Sequence, residues 1–141
     1  MKSLKILAGI IGLSFMVASC SKYEDGPAIS LVSKLERVAN DWEIEKAERN
    51  GENVTEDYDQ YELYLDDDYS ARLVARYTSD NITFIYETDG SWEFNNDKEE
   101  LALDFDNDDA DSEYIILRLT SNEMWLQDKS DDTELHFETK Q

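Results

Sequence analysis

Cysteine occurs once in this 141-residue chain, at Cys20, so no intrachain disulfide can form and the fold must be held by its own core. Proline also occurs once, at Pro27, so nothing beyond the N-terminal stretch removes a backbone donor from a strand. His136 is the only histidine, which excludes a multi-histidine metal site and leaves one candidate for a Ser-His-Asp set. It lies between Leu135 and Phe137, so on a strand whose Leu135 and Phe137 face the core it should point outward. The five glycines are scattered and form no phosphate-cradling loop. Basic residues are scarce, 13 against 34 acids, for a formal charge of −21. That charge repels phosphate backbones and anionic membrane surfaces, so nucleic acid is excluded as a partner. The one long apolar run, Ile6 to Val17, has about 12 residues, whereas a spanning helix needs roughly 20.

That run has a different reading. Lys2 and Lys5 precede it, and the small residues Ala18 and Ser19 follow it, the order of parts in an export signal. Val17-Ala18-Ser19-Cys20 resembles the lipobox of bacterial lipoproteins. The resemblance implies that residues 1–19 are removed and that Cys20, the new first residue, is acylated. Acyl chains contribute roughly 0.8 kcal/mol per buried CH₂, and two or more of them make a stable anchor. Residues 20–28 then read as a polar, lipidated tether containing Gly26 and Pro27. Lys22, Glu24 and Asp25 fit either a plain linker or the surface-export signal of some Gram-negative lipoproteins. The expected address is the outer membrane of the cell envelope, with the periplasmic or external face left open.

Residues 29–141 read as one folded domain. Leu31, Leu35 and Val38 recur at helical spacing, which predicts a short helix from Ile29 to Asn40 with Ser30 as its N-cap. From Trp42 the period changes to two. Tyr61, Leu63 and Leu65 share a face, as do Leu73, Ala75 and Tyr77, then Ile82, Phe84 and Tyr86, and then Trp92 and Phe94. Leu101, Leu103 and Phe105 follow, then Ile115, Leu117 and Leu119, then Met124 and Leu126, and finally Leu135 and Phe137. Asn50-Gly51, Asp89-Gly90 and several short polar stretches serve as turns between them. No helical pattern separates the strands, so the sheet should be antiparallel. The expected architecture is all-β, an eight- to nine-stranded up-and-down meander. Closure into a barrel removes its edges, and a two-sheet sandwich is the alternative.

Three stretches resemble bacterial lipocalin-like lipoproteins. They are Asn40-Asp41-Trp42-Glu43-Ile44, Thr88-Asp89-Gly90-Ser91-Trp92-Glu93-Phe94, and residues 116–126 from Ile116 to Leu126. Lipocalins proper usually carry Gly two residues before the first-strand Trp, where this chain has Asn40. The resemblance, over about residues 40–139, implies a calycin-type barrel with a small apolar cavity.

The acids Asp104, Asp106 and Asp108 have the 1, 3, 5 spacing of a calcium loop, but the sixth position is Asp109 where Gly is needed and the twelfth is Ile115 where Glu is needed. Asp111 completes an acidic loop that reads as solvated. No cofactor, metal site or catalytic set is expected, and the chain reads as non-enzymatic. An eight-stranded barrel either fills with side chains or holds one small ligand. The aromatic residues Trp42, Phe84, Tyr86, Trp92, Phe94 and Phe105 on apolar faces are the candidates to line such a pocket for a small hydrophobic ligand. The alternative is a filled core and a role as an interaction module of the envelope.

Overall fold

The computed structural model describes residues 32–141. The export signal, Cys20, the tether and Ser30 lie outside the described residues. Among the described residues one short α-helix, α1 (Lys34–Val38), leads into nine strands: β1 (Asp41–Arg49), β2 (Glu52–Asn53), β3 (Tyr58–Leu65), β4 (Ser70–Ser79), β5 (Ile82–Asn95), β6 (Glu100–Phe105), β7 (Ser112–Leu119), β8 (Glu123–Asp128) and β9 (Thr133–Thr139). All pairings are antiparallel, and they join neighbours in the chain except that β3 pairs with β1 past the short β2 and β9 pairs back onto β1. Pairing of β1 with β9, from Trp42↔Thr139 to Arg49↔Thr133, closes eight strands into a barrel and decides against the sandwich. The small β2 is an extra ribbon on the end of β1.

The helix is shorter than its periodicity suggested, because its ends are set by polar side chains. Ser33 and Glu36 form a reciprocal capping box: Ser33 Oγ accepts from Glu36 N–H, and Glu36 Oε2 accepts from Ser33 N–H at 2.9 Å. That box starts the helix at Lys34 and leaves Val32 outside it. At the other end the Asn40 side-chain amide donates to the Arg37 carbonyl at 3.0 Å, offering the backbone a partner outside the helix. Arg37 reaches from the helix to donate to the Leu119 carbonyl at 2.9 Å, which fixes α1 to the end of β7.

Two-residue hairpins form at the expected Asn50-Gly51 turn and within the short polar stretch from Thr78 to Asn81. Asn50 and Gly51 have φ of 52° and 80°, and Asp80 and Asn81 have φ of 51° and 64°. Asp89-Gly90 departs from the expectation of a turn. The strand runs straight through it, so the two strands expected around Ile82–Tyr86 and Trp92–Phe94 are one, β5. Gly90 serves a close approach instead: a Cβ there would lie 2.1 Å from the Asp104 carbonyl oxygen. The extra ribbon β2 restores the strand number to nine.

Three bulges reset which residues face inward. One lies between Ile44 and Lys46 in β1, so Trp42 and Ala47 both reach the core although five residues apart. Another lies between Tyr58 and Gln60, and brings in both Tyr58 and Tyr61. The third lies between Ile116 and Arg118. Because of it Tyr114, Ile116 and Leu119 take the inner positions, and Ile115, expected on the core face, is exposed.

In an up-and-down barrel alternate strand ends meet. The starts of β1, β4, β6 and β8 and the ends of β3, β5, β7 and β9 gather at the α1 end. There Trp42, Leu63, Leu65, Leu101, Leu119, Met124 and Phe137 are sealed from solvent and fill the barrel. Trp42 is fully buried, and its indole N–H donates to the Val38 carbonyl at 2.9 Å, so α1 stoppers this end.

Candidate functional site

The opposite end of the barrel is open. The strand ends there carry aromatic rings, five of them tyrosines: Tyr58 and Tyr61 lie toward the start of β3, Tyr77 toward the end of β4, Phe84 and Tyr86 toward the start of β5, and Tyr114 toward the start of β7. These six rings line a cup of about 290 Å³ that enters the barrel interior. Three of them form a wall across adjacent strands, Tyr58 stacked on Tyr77 at 5.1 Å between centroids and Tyr77 on Phe84 at 5.2 Å. Tyr61 lies across the floor, tilted against Tyr77 and touching the core ring of Phe137 at 5.8 Å. The Tyr61 and Tyr114 hydroxyls meet at 3.4 Å, and the Tyr86 hydroxyl donates to the Asp109 carbonyl at 3.1 Å.

The rim is polar and mostly acidic. Asp109 and Asp111 come from the segment between β6 and β7, Asp128 from the end of β8, and Asp131 from the loop into β9. Arg49, at the end of β1, is the one cation among the residues that line the cup, and its Nε donates to Thr133 Oγ1 at 3.2 Å. The loops are stiffened by their own acids. Asp111 Oδ1 accepts from the Phe105 N–H at 2.6 Å, Asp128 Oδ1 accepts from both Ser130 N–H and Oγ–H, and Asp131 Oδ1 accepts from the Thr133 N–H.

Burial holds every one of these tyrosines in its neutral, proton-donating form. It is the leading cause of a raised pKa at Tyr61, Tyr77, Tyr86 and Tyr114, and it pushes Tyr58 up from 10.0 to about 12. Rim carboxylates add to the effect: Asp109 at Tyr86, and Asp128 and Asp131 at Tyr114. A stability consequence follows. The unfolded chain loses tyrosine protons near pH 10 while the folded chain keeps them, so the stability that these neutral phenols contribute is intact below pH 10 and lost as pH rises toward the folded values. The melting temperature is expected to fall steadily between about pH 10 and 12, with the share of tyrosinate absorbance at 295 nm that belongs to the five cup tyrosines appearing together with unfolding. Full ionisation of the cup tyrosines near pH 10 in a chain still folded would contradict this.

The six aromatic residues expected at a pocket are divided by the fold. Phe84 and Tyr86 line the cup. Trp42, Trp92 and Phe105 are packed core, each at most 2 % exposed. The Trp92 indole donates to the Asp66 carbonyl at 2.9 Å, away from the cup. Phe94 sits half-buried at the stoppered end, edge-on to Trp92 with Lys98 Nζ 5.9 Å from its ring centre. Tyr58, Tyr61, Tyr77 and Tyr114 were not singled out from the sequence. The signal that finds them is tyrosine placed at the strand ends that an up-and-down barrel brings together.

His136 does take the face opposite Leu135 and Phe137, but it is covered there. Its ring stacks on Trp125 at 4.0 Å and 4°, and its Nε2 lies 2.9 Å from Glu134 Oε1. Among the described residues no three His, Cys, Asp or Glu side chains converge as metal ligands, the acidic loop from Asp104 to Asp111 included. An outer cleft of about 720 Å³ lies over β5, β6 and β7. It is larger than the cup and shares Asp111, Ser112, Asp128 and Ser130 with it, and outward residues such as Ser91, Glu93, Ala102 and Glu113 line it as well.

A closed eight-stranded antiparallel barrel, stoppered by a helix at one end and cupped at the other, defines the lipocalin-like class of β-barrels. Residues 38–126 match the family described as the lipocalin-like domain, and the chain belongs to that family. Two solved structures are similar in fold. One is a lipocalin-like protein from Bacteroides uniformis ATCC 8492, 12% identical with a TM-score of 0.53, covering 74% of this chain and 99% of its own. The other, also a Bacteroides uniformis ATCC 8492 protein, is 16% identical with a TM-score of 0.53, covering 77% of this chain and 92% of its own. No curated protein matches the chain.

Proposed function

We infer that this protein is a lipid-anchored envelope lipoprotein whose barrel binds a small ligand at its open end without catalysis. The observation that carries the reading is the cup itself. Space of about 290 Å³ remains inside a barrel whose other half is solid, and aromatic rings and hydroxyls converge on it. That volume is at the low end of ligand sites, which run roughly 300–1,000 Å³, so the ligand is small. The mixture of apolar rings and a few fixed polar groups is the usual lining of such sites. The filled half supports the second reading, an interaction module with no ligand, and the cup speaks against it.

Filling the cup tests the choice. Ser112 lies at the start of β7 and lines the cup, so Ser112→Phe should occupy it while leaving the stoppered half intact. Small aromatic probes are expected to shift the ring resonances of Tyr77 and Phe84 in the natural chain and to leave them unmoved in Ser112→Phe. Probes that leave both chains unchanged at millimolar concentration favour the interaction module.

Cys20 supplies the anchor in this reading, because a surface this acidic is repelled by anionic lipid. Labelled palmitate is expected to enter the natural chain and not Cys20→Ser, which should leave the membrane fraction. A Cys20→Ser chain that still sediments with outer membranes overturns the anchor.

A further inference from the structure

We propose that the occupant of the cup is a small organic cation with an apolar or aromatic body; the proposal rests on the cup being a ligand site. Three features of the cup carry it. Four carboxylates, Asp109, Asp111, Asp128 and Asp131, face one guanidinium among the residues that line it. They come from two stretches far apart in the chain, residues 109–111 and 128–131, so the charge is gathered by the fold and is not one acidic run. The lining tyrosines carry no charge to offset them. The lone cation, Arg49, donates to Thr133 Oγ1 at 3.2 Å and acts on the Tyr58 hydroxyl, so it stands at the same rim and offsets one of the four charges.

The placement of charge and apolar surface also orients the occupant. The floor is aromatic, with Tyr61 and Tyr114 buried beneath the stacked wall of Tyr58, Tyr77 and Phe84. The carboxylates stand above, at the rim. An apolar body therefore enters first and the positive group stays at the mouth, where the field of the rim is strongest. An anion of the same shape must bring its charge to the same place against four carboxylates. The barrel wall lowers the effective dielectric there, so the difference between the two is larger than in free solution.

Three probes of one shape separate charge from fit: tyramine, its neutral counterpart 4-propylphenol, and the anion 3-(4-hydroxyphenyl)propionate. The measurement is titration of each into the full chain at pH 7, following the tyrosine ring resonances of the cup. Tyramine is expected to bind about tenfold more tightly than 4-propylphenol at low salt, with the anion weakest. Raising salt to about 0.5 M should remove most of the advantage, because a rim charge is screened. Asp109→Asn with Asp131→Asn should bring tyramine close to 4-propylphenol and leave 4-propylphenol unchanged. Asp109 is the cleaner of the two sites, since Asp131 also accepts the Thr133 N–H, and Asp109→Asn alone is read beside the pair. If 4-propylphenol or the anion binds as well as tyramine, the cation class is wrong and the ligand site stands. If none of the three moves the cup resonances, the ligand site and the cation class both fail.

Discussion

Gly90→Ala is expected to lower the melting temperature by about 12 °C or more, the largest effect of any substitution that adds one methyl group. Gly90 lies in mid-strand in β5, paired with Ala71 on one side and Phe105 on the other. An added Cβ would meet three backbone atoms, the Asp104 oxygen at 2.1 Å, the Phe105 Cα at 2.6 Å and the Asp104 carbon at 2.9 Å. No rotamer relieves a clash between backbone atoms, so β5 and β6 must part where the pairing of β6 is already short. Overpacking a core costs about 1–3 kcal/mol, and a backbone clash belongs at or above the top of that range. Domains of this size hold only about 5–15 kcal/mol in total. Gly51 supplies the contrast. It has φ of 80° and nothing within 4 Å of an added Cβ, so Gly51→Ala meets only the left-handed backbone penalty, about 1–2 kcal/mol. A Gly90→Ala chain that melts within 2 °C of the natural one would show that β5 and β6 separate freely at this point.

The same glycine marks where the sequence misleads. Asp-Gly between two alternating runs reads as a hairpin, because glycine there most often supplies positive φ. At Gly90 what matters is the missing side chain, and only the neighbouring strand makes that visible. Alternation located the strands well, from Tyr61, Leu63 and Leu65 in β3 to Leu135 and Phe137 in β9, and the lack of helical crossovers led to the antiparallel barrel. It failed on parity wherever a bulge intervened. Between Ile116 and Arg118 the extra residue moves Ile115 to solvent and gives the inner position to Tyr114. A bulge is a property of two strands in register, and one strand's pattern does not contain it. The cup was hidden for a related reason. Its tyrosines are as far apart in sequence as Tyr58 and Tyr114, and its acids sit in loops that alone read as solvated. Phe84 and Tyr86 were legible because they fall on an apolar face. Their separation from Trp42, Trp92 and Phe105 depends on which end of each strand meets which, and closure of β1 on β9 decides that.

Trp42→Ala is expected to cost about 3–5 kcal/mol, enough to bring the folded chain near the edge of stability. The indole is fully buried at the stoppered end, and its loss leaves a cavity between α1 and the barrel. Its hydrogen bond is the smaller part of the loss. The Val38 carbonyl that accepts the indole N–H also accepts from the Asn40 N–H at 2.8 Å, so no buried acceptor is orphaned when the indole goes. Trp42→Phe keeps most of the volume and is therefore expected to cost only roughly 1–2 kcal/mol. Urea midpoints followed through Trp92 and Trp125 fluorescence measure both, and equal losses would place the hydrogen bond above the packing. Trp42 and the cup occupy opposite ends of the barrel, with the core ring of Phe137 below Tyr61 between them. Probe affinity in the folded fraction of Trp42→Ala should therefore match that of the natural chain. If affinity falls along with stability, the stopper sets the shape of the cup through that core, and the two ends act as one unit.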